Sequence, residues 1–399
     1  MSNNSHKELH LIESFLPFYM LLAQYRLAIV DLGTVGLIII ALCTLYRHTW
    51  RVKWHKWMNS FGFFMIFVLG RDIIKLIIGI GAKSVMLNRM IEYLIIFLLI
   101  FIICGEEFNE KQLYKTWKIA GVIYSAALFV QIFSNYLLGH VMAPISIIPG
   151  YELRTVEQLV NARPSSFFAE PAAYVTAMFP LLFMTLKKCE YKWAIFTTVA
   201  ICISTSTVGV VLSIVLWGIF LLGKRISKNK KVMGLIIAFI LIVIFLNNDV
   251  FLEARLKLFE VLKGGSTVSS RITCGLETIK TLDWHEWIFG TNYNEVENYI
   301  ADNAYRFSIG STAMLYFTST GKVFLNTFSE VIFRYGILGL GVFLVPLIRE
   351  IISRESDLNS YALMITVAIF VQSMLLNSIY FMIVMIFLLY RQKALFQSE

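Results

Sequence analysis

Two short polar segments stand out in an otherwise apolar chain, and the first runs from Arg163 to Pro171. It carries a guanidinium group at Arg163 and a carboxyl group at Glu170. An arginine can bind a phosphate through two parallel hydrogen bonds, and a glutamate can accept a proton from a reacting hydroxyl. The spacing alone favours a structural alternative, because Pro171 suits the first turn of a helix and Glu170 suits the positive end of its dipole. The chemical hypothesis is that Arg163 and Glu170 face a cavity at the outer surface.

The second polar segment combines a cation with aromatic side chains. Arg271 lies near the start of a predicted short helix, and the stretch from Asp283 to Gly290 follows it. Trp284, within that stretch, suits a membrane interface or stacking on a sugar ring. The alternative is that Arg271 pairs with Glu277 or a lipid headgroup, which contributes little when the pair is exposed.

Ionisable residues also occur inside apolar segments. Arg71, Asp72 and Lys75 lie in one such segment, and Asp31 and Glu92 lie in two others. Ionisable groups at membrane depth are costly and normally face a partner or a watery cavity. One interpretation is mutual neutralisation, for example of Arg71 by Asp31 or Glu92. We favour the other, an outward-open polar cavity whose cations hold an anionic headgroup.

Several common catalytic signatures are missing from the sequence. It contains no glycine-rich nucleotide-binding motif and no nucleophile elbow. No His, Cys and Asp residues have metal-ligand spacing, and the five cysteines form no paired pattern. Neither a metal nor a cofactor is predicted.

The composition indicates the environment in which these residues work. Of the 399 residues, 58% are hydrophobic and only 15% are charged, against about 25% in a soluble domain. The mean hydropathy is +0.70. Apolar runs such as Leu94–Cys104 and Leu235–Leu246 have no polar face, which is typical of membrane helices. The sequence predicts an all-α protein that crosses a membrane several times.

About twelve helices are predicted when about 20 apolar residues are taken as one membrane span. The net charge of +9 is concentrated in three short basic segments, near Arg47–Lys56, Lys187–Lys192 and Lys224–Lys231. Short basic loops stay on the cytoplasmic side, so this excess is a topology signal that argues against nucleic-acid binding. With twelve spans, the basic segments and both termini are cytoplasmic. The predicted helices are 9–25, 28–46, 57–80, 86–104, 113–139, 172–187, 192–207, 208–223, 232–248, 330–349, 360–376 and 378–391.

The same pattern divides the chain into three parts. Residues 1–248 form N-terminal membrane helices with a short external loop at 140–171, residues 249–329 form a long external loop, and residues 330–399 form C-terminal membrane helices. The long loop is expected to hold short helices at Asp249–Leu262, Ser269–Thr281 and Val296–Tyr305.

The order of motifs along the chain resembles a known family. The segment from Arg163 to Pro171 opens a helix, and a long external loop with Ser-x-Arg at Arg271 follows. Phe324–Glu330 then leads into Arg334–Leu340. This layout resembles the bacterial polysaccharide repeat-unit polymerases of the O-antigen polymerase and ligase superfamily. The resemblance covers nearly the whole chain and implies a fold like that of the C-type glycosyltransferases.

The resemblance also implies a substrate, an oligosaccharide repeat unit on undecaprenyl diphosphate. The enzyme would be a metal-independent glycosyltransferase of the bacterial cytoplasmic membrane that makes capsule or O-antigen, with membrane lipid, a flippase and a chain-length regulator as partners. By position, Arg163 and Arg271 would bind the diphosphate and Glu170 would activate the acceptor hydroxyl. Further residues expected to bind substrate are Arg154, Arg71, Lys75, Arg255, Trp284, His285 and Arg334.

Two alternatives remain at this stage. A ligase would transfer the glycan to another acceptor, but ligases of the superfamily carry His-Asn where this chain has Leu325 and Asn326. A transporter or flippase of the lipid-linked sugar would also suit many spans and buried charges. Transporters are typically built from inverted repeats, and the sequence shows no such pairing.

Overall fold

The computed structural model describes most of the chain. The described residues are 11–27, 30–47, 58–79, 83–104, 108–151, 153, 163–222, 227–247, 252, 255–256, 267–293, 295–352 and 358–396.

These residues are almost entirely helical, and the only strand pair among them is the short antiparallel ribbon Arg26–Leu27 with Val30–Asp31. The helices are α1 (Leu11–Leu22), α2 (Leu32–Arg47), α3 (Asn59–Ile78), α4 (Lys83–Ile103), α5 (Glu110–Leu137), α6 (Pro171–Lys187), α7 (Tyr191–Ile203), α8 (Thr207–Leu222), α9 (Lys228–Asn247), α10 (Thr267–Lys280), α11 (Trp284–Phe289), α12 (Val296–Asp302), α13 (Thr312–Thr320), α14 (Thr327–Ile352), α15 (Leu358–Val371) and α16 (Ser378–Phe396).

The all-α prediction is confirmed, and each predicted apolar segment corresponds to one helix. The helices expected near 269–281 and 296–305 are present as α10 and α12, the latter followed by a 3-10 turn at Ala304–Arg306. Helices α11 and α13 and the strand pair were not predicted. Most of the helix expected at 249–262 lies outside the described residues.

Three of the described helices are long and apolar enough to cross a membrane. They contain the stretches Met86–Ile103, Glu110–Asn135 and Thr327–Ile352, of 18, 26 and 26 residues. Other apolar helices are shorter, between 10 and 17 residues over their apolar part. The structure therefore shows membrane-spanning capacity in part of the bundle, and the count of about twelve spans stays a prediction.

Two pairs of consecutive helices form antiparallel hairpins. In the α7–α8 pair, Trp217 Nε1 donates a hydrogen bond to Thr198 Oγ1 at 3.0 Å, from one helix to the other. In the α15–α16 pair, the rings of Tyr361 and Tyr390 lie 6.1 Å apart. The turn at 204–206 contacts Arg163, which precedes α6. The turn at 372–377 contacts Thr327 at the start of α14. These hairpins therefore bring chain-distant loops to one end of the bundle, which we call the loop end.

Helix α6 lies in the middle of this arrangement. Its residues from Tyr174 to Leu186 are buried, and Trp117 Nε1 of α5 donates to Ala177 O at 2.9 Å. At the loop end, Gln372 Nε2 donates to Thr176 Oγ1 at 2.8 Å and joins α6 to the α15–α16 turn. The start of α6, where Glu170 lies, is thus held by several neighbouring elements.

Candidate functional site

The backbone of the segment from Arg163 to Glu170 is held by two amide side chains, Gln131 of α5 and Gln24 in the turn after α1. Gln131 Oε1 accepts hydrogen bonds from Ser165 N at 2.9 Å and Ser166 N at 2.7 Å. Gln24 Oε1 accepts from Ala169 N at 2.7 Å. Ser166 has a φ of 60°, unusual for a residue with a side chain, and its hydroxyl donates to Tyr124 O at 2.7 Å. The segment is therefore a preorganised scaffold between its two end residues.

Sequence reasoning missed both amides. For Gln131 the available signal was its place within the apolar helix α5, because a buried amide needs hydrogen-bond partners. Gln131 is 1% exposed.

Glu170 lies at the N-cap position of α6, as the structural alternative predicted. Its φ and ψ of −139° and 147° are extended, Pro171 occupies the first turn, and the Glu170 side chain makes no capping hydrogen bond. The side chain is exposed. The carboxyl group thus lies at the positive end of a helix dipole.

Arg271 lies close enough to Glu170 for their charges to interact, although the two residues come from different loops. Burial lowers the pKa of the Arg271 guanidinium, and the negative charge of Glu170 opposes that effect. The guanidinium carbon also lies 5.9 Å from the ring centroid of Phe324, within cation–π range. The alternative that Arg271 pairs with Glu277 is not what the structure shows, since Glu277 accepts from Thr312 N and Ala313 N at the start of α13.

Arg163 is directed to the turn between α7 and α8. Its Nε donates to Thr205 Oγ1 at 3.2 Å and its Nη2 donates to Thr205 O at 2.8 Å. Thr205 has a φ of 56°, so this turn is itself a constrained site. These two bonds make Arg163 an anchor of the scaffold.

A close backbone contact fastens the residues that follow α11 to α14. Gly290 has φ of 80° and Gly336 has φ of 69°. A Cβ atom on Gly336 would overlap the carbonyl oxygen of Ile288, and Thr291 N donates to Phe333 O at 2.7 Å. Only glycines allow two backbones to approach in these conformations. Helix α14 is broken at Gly336, whose backbone conformation is not helical. The end of α11 is held against α14 at this break.

Arg71 takes part in this contact and is not neutralised as one interpretation supposed. Its Nη2 donates to Gly290 O at 3.1 Å and lies 3.4 Å from Asn292 Oδ1. Asp31 instead accepts from Thr34 N at 2.7 Å at the start of α2. Glu92 experiences the charges of Arg26 and Asp31. The proposed pairing of Arg71 with Asp31 or Glu92 is therefore wrong.

A group of charged side chains from α3, α4 and α14 lies at the loop end. Arg89 Nη2 lies 3.9 Å from Asp72 Oδ2, and Arg334 Nη2 lies 2.9 Å from Glu330 Oε1. Lys75 is only 2% exposed. We call this group the inner charge cluster; its members are Arg71, Asp72, Lys75, Arg89, Glu330 and Arg334.

The other predicted binding residues have separate locations. Trp284 is 66% exposed, and its ring lies against that of His285. Arg255 Nη1 donates to Leu246 O near the end of α9. Arg154 lies outside the described residues. The structure therefore places Glu170 within electrostatic range of Arg271 and gathers Arg71, Lys75 and Arg334, while Trp284 and His285 form an exposed aromatic edge on α11.

The position of Arg271 depends on tight packing one turn further along α10. A Cβ atom on Gly275 would lie 2.7 Å from Ser329 Cβ and would also overlap Ser329 Oγ at the start of α14. The neighbouring Cys274 is 2% exposed, and burial raises the pKa of its thiol to about 11. The thiol is thus protonated and shielded at neutral pH.

We expect Gly275→Ala to displace α10 and to speed alkylation of Cys274 by about tenfold or more, because a small loss of local stability multiplies the open population. The measurement is maleimide labelling of full-length protein that retains Cys274 as its one cysteine. Adding Ser329→Gly should restore slow labelling. Equal labelling rates in the Gly275→Ala protein and its parent would show that this packing does not hold α10.

Comparisons with known proteins do not identify this chain. No family model matches it, and neither the curated proteins nor the solved structures include a significant match. Within the described residues no group of three His, Cys, Asp or Glu side chains is placed to hold a metal ion. The groups available for chemistry at the loop end are the Glu170 carboxyl group, the arginines of the same region and the inner charge cluster.

Proposed function

We propose that this protein polymerises lipid-linked oligosaccharide repeat units into a surface polysaccharide at the outer face of the bacterial cytoplasmic membrane. The observation that carries the proposal is the electrostatic interaction of Arg271 with Glu170, a cation and a proton acceptor that two separate loops bring within range of each other. Two helices able to cross a membrane pack against the elements that carry this pair: α5 contacts α6, and α14 contacts α10. A water-facing site on a membrane bundle suits a substrate with a lipid anchor and a soluble sugar.

The chemistry assigned to the pair is glycosyl transfer from undecaprenyl diphosphate. A hydroxyl oxygen of the acceptor sugar attacks the anomeric carbon of the growing chain, and the bond from that carbon to the diphosphate oxygen breaks. Glu170 takes the proton of the attacking hydroxyl. Arg271 stabilises the negative charge that develops on the departing diphosphate, in a partly buried position where this interaction is stronger than in water.

The surroundings of α14 favour a polymerase over a ligase. The ligases that the chain resembles have His before the Asn, whereas Leu325 is 4% exposed and packs in the core. Asn326 Oδ1 accepts from Ser329 N at 2.8 Å, and Asn326 Nδ2 donates to Phe370 O at 3.0 Å. Both side chains thus serve the packing of this turn, and the transfer chemistry rests on Glu170.

The test uses purified full-length protein with undecaprenyl-diphosphate-linked repeat units in detergent or vesicles. We expect a ladder of products that differ by one repeat unit. Arg163→Ala should abolish the ladder, because it releases the scaffold from the α7–α8 turn and removes a cation near the site.

Three other results would contradict the proposal. Transfer of lipid across vesicles without elongation would indicate a transporter, and transfer of the glycan to a different acceptor would indicate a ligase. A full ladder from Glu170→Gln would exclude Glu170 as the group that accepts the proton.

A further inference from the structure

Two large aromatic side chains are exposed on the segment that follows α10. Trp284, the first residue of α11, is 66% exposed. Tyr305, in the 3-10 turn after α12, is 78% exposed. A single exposed ring needs no explanation, whereas exposed rings that share one surface indicate a binding site. The question is whether these two rings belong together.

An ion pair connects the two rings. Arg306 Nη1 lies 3.0 Å from Asp283 Oδ2, and Asp283 directly precedes Trp284. Arg306 Nε donates to Tyr305 Oη at 3.1 Å, and the guanidinium carbon lies 5.6 Å from the centroid of the Tyr305 ring. One guanidinium group thus joins both aromatic residues into a continuous surface. We call Trp284, Tyr305, Asp283 and Arg306 the aromatic platform.

Both halves of the aromatic platform are fixed to the helix bundle. The end of α11 is held against α14 at Gly336. Tyr299 of α12 donates to Thr281 O at 3.0 Å, and Arg306 Nη1 donates to the same carbonyl oxygen at 3.3 Å. The ring of Tyr299 also packs against that of Phe333 in α14, with centroids 5.4 Å apart. A ligand therefore meets side chains on elements that are already in place, which lowers the entropic cost of binding.

The charge of this region favours a neutral ligand. Residues 280–306 include two cations and five carboxylates, and this negative excess repels phosphate groups and anionic lipid headgroups. The cation of the aromatic platform is also shared, because Arg306 Nη1 lies 3.5 Å from Glu286 Oε2 in addition to its contact with Asp283. Since Asp283 already has this cationic partner, the surface gives little advantage to a basic peptide.

The groups that remain for a ligand are ring faces and hydrogen-bonding edges. The His285 ring lies against the Trp284 ring on one side, and most of the indole is open. Beside it, the Asp283 side chain is 61% exposed and the Arg306 side chain is 25% exposed. Carboxylate oxygens accept hydrogen bonds and guanidinium groups donate them. A sugar matches this combination, because its ring has an apolar face and an edge of hydroxyl groups.

The aromatic platform is separate from the reacting pair of Glu170 and Arg271. Arg306 contacts the carbonyl of Thr281, just beyond the end of α10, whereas Arg271 lies near the start of that helix. At 1.5 Å per residue, the two positions are about 15 Å apart along the helix axis. A ligand on the aromatic platform is therefore a part of the substrate that does not react.

We propose that the aromatic platform binds neutral sugar residues of the glycan chain, with Trp284 and Tyr305 each packing against one sugar face. The inference rests on the proposed function, in which one end of the glycan reacts near Glu170 and the rest extends away from it. Trp284 and Tyr305 are positioning residues: they hold the chain between successive transfers and so increase the number of repeat units added before release.

Oligosaccharide binding tests the inference without any transfer reaction. The probe is a set of neutral oligosaccharides released by mild hydrolysis from the surface polysaccharide of cells that make this protein. Full-length protein is used in a detergent without a sugar headgroup, with calorimetry as the measurement. Trp284→Ala and Tyr305→Ala should each weaken binding by about tenfold, as expected for the loss of one aromatic contact. Trp284→Phe should retain most of the affinity, because it keeps a ring.

Tyr46→Ala is the matched control. Tyr46 is 79% exposed, as much as Tyr305, but it lies near the end of α2. It is about 21 Å along the helix axis from Leu32, the first residue of that helix. The control should bind the oligosaccharides with wild-type affinity. All these side chains are exposed, so the melting temperatures should stay close to that of the wild type.

Elongation assays give a second readout that a purely structural role would not produce. Trp284→Ala should raise the KM for lipid-linked repeat units by about tenfold, with a smaller effect on kcat. Its ladder should also shift to shorter products. Tyr46→Ala should keep the wild-type KM and product lengths.

A membrane-surface role for Trp284 predicts a different result. In lipid nanodiscs that contain brominated lipid, the wild type and Trp284→Ala should show the same loss of tryptophan fluorescence, because the indole of Trp284 binds sugar and does not enter the lipid. Quenching that disappears in Trp284→Ala would place this ring in the membrane interface and overturn the inference.

Equal oligosaccharide affinity of the wild type and the Trp284→Ala, Tyr305→Ala double variant would also overturn it, as would a wild type that binds none of the probes. Failure of the proposed function gives a different pattern. In that case no ladder forms, while oligosaccharide binding and its loss in the Trp284 and Tyr305 variants remain.

Discussion

Arg271→Ala is expected to lower the rate of chain elongation by about 10²- to 10³-fold, the usual cost of removing one donor that stabilises charge in a transition state. The reason is position: Arg271 is partly buried and within electrostatic range of Glu170, so its charge is less screened than it would be in open water. Arg271→Lys should restore only a small part of the rate, because an ammonium group cannot form two parallel bonds to a phosphate.

The measurement is the initial rate of ladder formation by purified protein on lipid-linked repeat units. Lys280→Ala is the matched control, since Lys280 lies on the same helix and is exposed. It should elongate at the wild-type rate. Elongation by Arg271→Ala within a few-fold of the wild type would rule out a role for Arg271 at the leaving group.

Gly336→Ala is expected to destabilise the protein by about 3 kcal/mol or more. The φ of 69° and ψ of −173° at Gly336 are unfavourable for any residue with a Cβ atom, and that atom would overlap the carbonyl oxygen of Ile288 and lie 2.6 Å from Gly290 N. The substitution therefore separates α11 from α14. It should also abolish elongation, because the loop that carries Arg271 loses its attachment.

Chemical unfolding in detergent and limited proteolysis of the 249–329 loop provide the measurement. Gly341→Ala is the matched control on the same helix, because a Cβ atom there would meet nothing within 4 Å. That variant should be neutral or more stable by up to about 1 kcal/mol. Equal stability of the Gly336→Ala and Gly341→Ala proteins would show that the close contact with α11 contributes nothing.

The helical architecture could be predicted from the sequence because apolar runs are a local property. A segment such as Leu94–Cys104 has no polar side chain at any position, so it forms a helix that satisfies its own backbone and buries its surface in lipid or protein. The start of α6 was equally local, since Pro171 after Glu170 is a signal within a single turn.

The partners of the charged residues could not be predicted in the same way. Arg71 bonds Gly290, which is distant along the chain, and no periodicity encodes that contact. Arg163 was expected to face a ligand, and the structure directs it to the backbone of Thr205. A guanidinium group takes whichever acceptor the fold places within reach, so its role depends on the packing of other helices.

The sequence by itself determined which residues are chemically able to act, the helical class of the chain and the approximate positions of its helices, because residue type and local apolar pattern decide these. The tertiary structure alone decided that the charges of Glu170 and Arg271 interact, that Gly290 and Gly336 lock the loop to the bundle, and that Lys75 and its neighbours form a separate cluster. Each of these depends on two or more helices approaching from distant parts of the chain. Such an approach is set by the packing of the whole core, in which every buried side chain takes part.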